Sequence, residues 1–136
     1  MSVYFKTEKM PYINKSKSDF WLTPPHIKER FEGYFDPCPY PKPDFDGLQI
    51  EWKAQNFVNP PYSKLGLWCK KSYEESLQGR EVVLLIPART DTKYFHTYVL
   101  PYARIEFIKG RLKFVNPFEK KTNSAPFPSI LCFYNS

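Results

Sequence analysis

Asn59-Pro60-Pro61-Tyr62, in the setting FVNPPYS, puts a carboxamide, two stiff backbone positions and an aromatic ring within four residues. A proline holds φ near about −65° and lacks a backbone donor. The residue before a proline is pushed out of the α region. Asn59 is therefore expected in a rigid, extended turn, its carboxamide and the nearby carbonyls held outward. These groups suit a planar ring that carries an exocyclic amine. The amine can donate to the Asn59 oxygen and the Pro60 carbonyl while the ring stacks on Tyr62. A plain loop, with Tyr62 packed into the core, is the competing reading. The flanks favour the chemistry: Phe57-Val58 reads as a strand end and residues 65–77 have helical spacing. Ligands of open α/β sheets bind at the carboxyl ends of strands, where this turn would lie.

The elements that must hold the turn follow from pattern and punctuation. Thr23 is placed to cap a short helix with Pro24 and Pro25 in its first turn, Ile27 and Phe31 sharing a face. Residues 33–36 read as a short strand ending in Asp36. Residues 37–47 carry Pro37, Pro39, Pro41 and Pro43 and read as irregular. A strand over 55–59 feeds the turn. The helix from Leu65 is expected to point Trp68, Tyr73 and Leu77 inward and to stop near Gly79. The apolar run 82–86 reads as a strand buried on both faces. A short helix over 92–99 follows, then strands over 104–108, 112–115 and 129–133, with a hairpin at Gly110 between the first two. The order β-α-β-α-β and then strands alone predicts an α/β fold, an open sheet with an antiparallel C-terminal end. Residues 1–18 are polar and basic and read as a mobile arm, leaving 19–136 as one domain.

Composition sets the outer limits. The chain has 136 residues, 42% of them hydrophobic and 25% charged, which suits one ordinary globular core. Twenty basic residues against 14 acidic ones give a net charge of +6, which fits a polyanionic partner. Cys38, Cys69 and Cys132 are scattered, with no CxxC pair, which argues for a reducing compartment and against a metal site. No signal peptide and no apolar run of membrane-crossing length is visible. A soluble, cytoplasmic protein with no membrane partner is expected.

FVNPPYS is similar to the catalytic motif of amino-methyltransferases that use S-adenosyl-L-methionine to methylate N6 of adenine in DNA. FWLTPPHIKERF from Phe20, VVLLIPARTDTKYFH from Val82, IEFIKGRLKF from Ile105 and APFPSIL from Ala125 resemble one family in particular, the small phage-type DNA N-6-adenine methyltransferases. The resemblance covers residues 20–134. It implies a small, truncated Rossmann-like sheet whose second and third strand–helix units are missing or shrunk into residues 39–55. It also implies double-stranded DNA as substrate, base flipping, and the host cytoplasm as location.

Carried over by position, the resemblance makes Asn59, Pro60, Pro61 and Tyr62 the catalytic turn. Thr23-Pro24 resembles the element set against the methionine end of the cofactor. Asp36, Pro37 and Cys38 resemble the start of the cofactor loop, with Asn59 beside them. The family's loop continues with glycines; here it runs Pro39-Tyr40-Pro41, with no glycine before Gly47. Asp44 and Asp46 are candidates for the ribose hydroxyls. Tyr62, Lys64, Arg89 and Arg111 are expected on the substrate side, the arginines on phosphate or a base edge. Arg89 has an ion pair with Asp91 as its alternative, and His96 reads as packed or surface rather than as a base. Two other functions stay open: a methylase of RNA or of a protein amide, and a non-catalytic DNA-binding remnant. No separate target-recognition domain fits in the chain, so recognition falls to loops, the arm or a second subunit.

Overall fold

A computed structural model describes residues 21–116 and 122–136. The arm expected over residues 1–18 lies outside them. The longest apolar run forms the middle of the main sheet. In β2 (Glu81–Pro87), Val82, Leu84 and Ile86 point to one face, Val83 and Leu85 to the other, and all five are buried. Successive side chains of a strand alternate between faces, so a strand covered on both sides must be apolar throughout. β6 (Ser129–Tyr134) is built the same way, with Ile130, Cys132 and Tyr134 opposite to Leu131 and Phe133.

β1 (Gln55–Val58) pairs parallel to β2, with Gln55 opposite Glu81 and Val58 opposite Leu84. β6 pairs antiparallel to β2 and also to β3 (Arg104–Phe107), giving the order β1-β2-β6-β3. β3 thus runs in the same direction as β1 and β2, with β6 reversed between them. Phe35 adds a single parallel bridge outside β1: its N–H donates to the Gln55 carbonyl at 2.9 Å, and Phe57 N–H donates to its carbonyl at 2.9 Å. The short strand expected over 33–36 is this one bridge. The result is a small, open, mixed α/β sheet.

One face is covered by α2 (Leu65–Ser76) and by a π-helical turn, Phe95–Val99, through Leu65, Trp68, Cys69, Phe95 and Val99. The other face is covered by α1 (Pro25–Lys28), its 3-10 continuation Glu29–Phe31, and a ribbon of β4 (Lys113–Val115) and β5 (Thr122–Ser124). Buried Glu75 ties α2 to the irregular segment ahead of β1. It accepts the Trp52 backbone N–H at 2.9 Å and pairs with Arg80 and Lys71, each at 3.0 Å. No helix is long and apolar enough to cross a membrane, and no group of His, Cys, Asp and Glu suited to a metal ion occurs among the described residues.

Three expectations are corrected. Gly110, at φ +76°, makes a turn but not a hairpin: β3 takes β6 as its partner, while β4 pairs with β5 in a second sheet. Leu112 and Phe114 are needed over Phe133 and Leu131, so the chain leaves the sheet edge at Gly110 and crosses onto its face. Leu77 does not point inward; it follows the last turn of α2 and is 64% exposed. Thr23 does not cap α1, whose N-cap is Pro24 without a side-chain bond. Its hydroxyl oxygen instead accepts from Asn59.

Candidate active site

The turn after β1 is as stiff as its sequence predicts. Pro61 sits at φ −64° and ψ 139°, and a 3-10 turn, Tyr62–Lys64, leads into α2. The Asn59 carboxamide is fixed in this frame by its nitrogen. Nδ2 donates to the Trp21 carbonyl at 2.8 Å and to Thr23 Oγ1 at 3.1 Å. A carbonyl can only accept, so the contact with Trp21 decides which end of the amide is nitrogen. Oδ1 is left as the end with acceptor capacity for a ligand. The segment 21–23, itself bridged to β4 through Leu22 and Val115, is thus the brace of the turn.

Three cavities with shared walls lie at this turn and its brace, and the amide lines one of them. The middle one is small, ≈ 50 Å³, and is walled by Thr23, Asp36, Cys38, Asn59 and Pro61, with Trp21 at one side. Trp21 is shared with an apolar cavity of ≈ 200 Å³ whose other walls include Tyr62, Phe114, Ala125 and Phe127. Cys38 and Pro61 are shared with a cavity of ≈ 200 Å³ walled by Pro37, Lys42, Phe45, Asp46, Leu48, Lys64 and Trp68. A polar neck that contains Asn59 therefore shares Trp21 with an aromatic box and Cys38 and Pro61 with a mixed pocket.

A family model described as DNA N-6-adenine-methyltransferase (Dam) matches residues 11–136, nearly the whole chain. The chain belongs to that family. Methylation of adenine N6 in DNA is the general activity of Dam-family proteins, and DNA their substrate. No curated protein and no solved structure gives a significant match.

In this Dam-family chain the electrostatics differ from one side of Asn59 to the other. On the aromatic side, Tyr62 meets Phe127 edge-on, with ring centroids 5.3 Å apart and planes at 81°. The Tyr62 hydroxyl is buried with no hydrogen-bond partner among the described residues. Burial pushes its pKa well up, and the positive charge of Arg89 offsets only part of that. The Arg89 guanidinium lies 5.8 Å from the Phe127 ring centre, and no ion pair with Asp91 is present. On the other side, Asp36 accepts the Cys38 N–H at 2.8 Å. Desolvation nonetheless holds the Asp36 pKa above its ordinary value, with Lys28 opposing it weakly. The Cys38 thiol is pushed up to about 12 by burial and by the charges of Asp36 and Asp46, so it is not a nucleophile. A partly desolvated carboxylate favours a cationic ligand, and Asp46 at the far pocket offers an acceptor for hydroxyls. Phe45 and Leu48 suit a flat ring. The donor set fits S-adenosylmethionine.

The candidate site draws together Thr23, Asp36, Cys38 and Asn59 at the neck, Pro37 and Lys64 at the mixed pocket, and Tyr62 at the aromatic box, with Arg89 over its Phe127 wall. Pro24 is fully buried at the start of α1 and lines none of these cavities. Pro60 is buried between Asn59 and Pro61. Arg111 is exposed in the segment between β3 and β4 and borders none of them. Asp44 is exposed and, unlike Asp46, does not line the mixed pocket. His96 is a surface residue whose Nε2 lies 2.7 Å from the Thr90 carbonyl. Trp21, Phe114 and Phe127 line the aromatic box without having been expected there from the sequence. Phe127 sits in APFPSIL and Trp21 two residues before Thr23, inside stretches that carried the resemblance, which is the signal that would have found them.

Proposed function

We propose that the chain is an S-adenosyl-L-methionine-dependent methyltransferase acting on N6 of adenine in double-stranded DNA, with the base flipped from the duplex. The observation that carries this reading is the position of Asn59: a fixed amide beside Asp36 at a neck that shares walls with an aromatic box and with a pocket lined by Asp46. The bound cofactor supplies an electrophilic methyl group on a sulfonium. Asn59 Oδ1 and the Pro60 carbonyl accept the two hydrogens of the amine, drawing its lone pair out of conjugation with the ring. That bonding strengthens as the nitrogen becomes tetrahedral, so it favours the transition state over the ground state. Orientation supplies up to ~7–11 kcal/mol more in well-aligned systems. The aromatic walls repay part of the unstacking cost of the flipped base, at ~1–3 kcal/mol per stacked base. The methylated amine sheds its proton to water, so no dedicated base is needed. We read the parallel set of Phe35, β1, β2 and β3, interrupted by β6, as a truncated Rossmann-like sheet.

The reading is tested by offering methyl-labelled cofactor with DNA, RNA and protein substrates, followed by mass spectrometry of digested DNA. Label on adenine N6 is expected. Label found only in RNA or protein would overturn the proposal.

Two variants probe the two sides of the neck. Tyr62→Ala should weaken productive base capture by ~1–3 kcal/mol, whereas Tyr62→Phe should retain it, since the face stacks and the buried hydroxyl has no partner. Urea denaturation should show Tyr62→Phe at least as stable as wild type. Equal loss of activity in both variants would assign the role to the hydroxyl. Asp36→Asn should raise the cofactor dissociation constant in calorimetry while DNA affinity stays put. In the wild type, cofactor affinity should be present above the raised Asp36 pKa and decline as pH falls through it, because only the ionised carboxylate complements a cation. A pH-independent cofactor affinity, equal in both proteins, would place the cationic end elsewhere.

A further inference from the structure

A shallow groove of ≈ 500 Å³ runs along the outer face of the α2 start and the π-helical turn. Lys64, Lys70 and Lys93 border it, and no acidic residue among the described residues does. All three lysines are exposed, and none is in an ion pair among the described residues. Their neighbour Lys71 behaves differently: it pairs with Glu75 at 3.0 Å and lies 5.8 Å over the Trp52 ring. The nearest acids in sequence, Glu74 and Asp91, are exposed and stand off the groove. Gly66 keeps the floor open, since it presents no side chain between α2 and Tyr94. Leu67, 57% exposed, adds an apolar wall.

The groove opens where the catalytic turn ends. Ser63 and Lys64 directly follow Tyr62, and Lys64 borders both the groove and the mixed pocket. Three uncompensated ammonium groups around an open channel match a run of phosphates rather than a single small anion. Aliphatic and aromatic surface between the charges suits sugar rings. Lysine acts on phosphate as a point charge without demanding bidentate geometry, so such a surface holds backbone and reads no sequence.

We propose that this groove seats the phosphodiester backbone of the DNA flanking the target base, with Lys70 and Lys93 as its anchors. The proposal rests on the DNA reading above and adds the surface on which the duplex lies. It also supplies the grip that a flipped base requires, since the rest of the duplex must be held while one nucleotide leaves the stack.

The test is fluorescence anisotropy of a labelled mixed-sequence duplex across a salt series, with wild type, a Lys70→Gln/Lys93→Gln double variant, and Lys53→Gln as a control beside the opposite end of β1. Each phosphate contact contributes ~0.9 to the slope of log K against log salt. The double variant should lose ~1.8 from the slope and bind ~60-fold more weakly at 0.1 M salt. Lys53→Gln should match wild type. An unchanged slope in the double variant, with wild type still binding and methylating DNA, would overturn the groove and leave the proposed function standing. Failure of wild type to bind any duplex and to methylate DNA would overturn the proposed function, and the groove with it. Because both lysines are exposed, circular dichroism should show the variants folded.

Discussion

Asn59→Ala is expected to abolish methyl transfer to DNA, by at least ~10²–10³-fold in turnover, the scale seen when one preorganised polar group is removed from a reacting centre. The side chain has two uses. In the proposed reaction its oxygen accepts from the substrate amine, and in the structure its nitrogen braces the turn against Trp21 and Thr23. The first loss acts on turnover. The second loosens the neck and should cost ~1–2 kcal/mol of stability through the missing hydrogen bonds. The two separate experimentally: a urea midpoint reports the brace, and single-turnover rates at saturating cofactor and DNA report the chemistry. Cofactor affinity should fall only modestly. A folded Asn59→Ala protein that turns over within a few-fold of wild type would show that the turn is not the reacting centre.

Gly47→Ala should be the most damaging single methyl group in the molecule. A Cβ at this position would lie 1.9 Å from the Pro37 carbonyl oxygen and 2.8 Å from a ring carbon of Trp68. Neither neighbour is the loose end of a flexible chain. The Pro37 oxygen is backbone, and Trp68 is packed against Trp52 in the core. The loop from Pro37 to Leu48 must therefore move as a whole. Movement would also break the bond from Trp52 Nε1 to the Gly47 carbonyl, now 2.7 Å. Overpacking of this kind costs ~1–3 kcal/mol, and a lost hydrogen bond ~1 kcal/mol more. Because the same loop forms a wall of the mixed pocket, cofactor affinity should fall tenfold or more. Calorimetry with S-adenosylmethionine beside a urea melt checks both. Wild-type values in each would mean that the loop accommodates the methyl group by a path the packing does not show.

The features legible in the sequence were the local ones. Asn59-Pro60-Pro61-Tyr62 could be placed because proline restricts its own φ and its predecessor, whatever the rest of the chain does. β2 was legible because five apolar residues in succession have few other uses, and the end of α2 because Gly79 stands at φ +84°. Pairing was not legible. Gly110 suited a hairpin, yet β3 and β4 part there, because β6 competes for β3 with a register running from Phe133 opposite Arg104 to Ile130 opposite Phe107. Thr23 shows the same limit within the site. Its position before two prolines predicted a cap, but the hydroxyl answers to Asn59, 36 residues away in sequence. The aromatic box was hidden for this reason too, since Trp21, Tyr62, Phe114 and Phe127 come together only in three dimensions.

The reversed strand between β2 and β3 has a further consequence, for the order of assembly. Among the described residues β6 is the last of six strands, yet it is the sole bridge by which β3 joins the main sheet. Until it inserts, β2 shows a raw inner edge and β3 has no sheet partner. Closure of such distant segments is slow, and the waiting edges invite pairing with other chains. The domain should thus assemble as a zipper that locks from its final tooth. A chain severed ahead of Ser129 would hold an unfinished sheet, and a peptide carrying the missing strand would be the natural means to complete it.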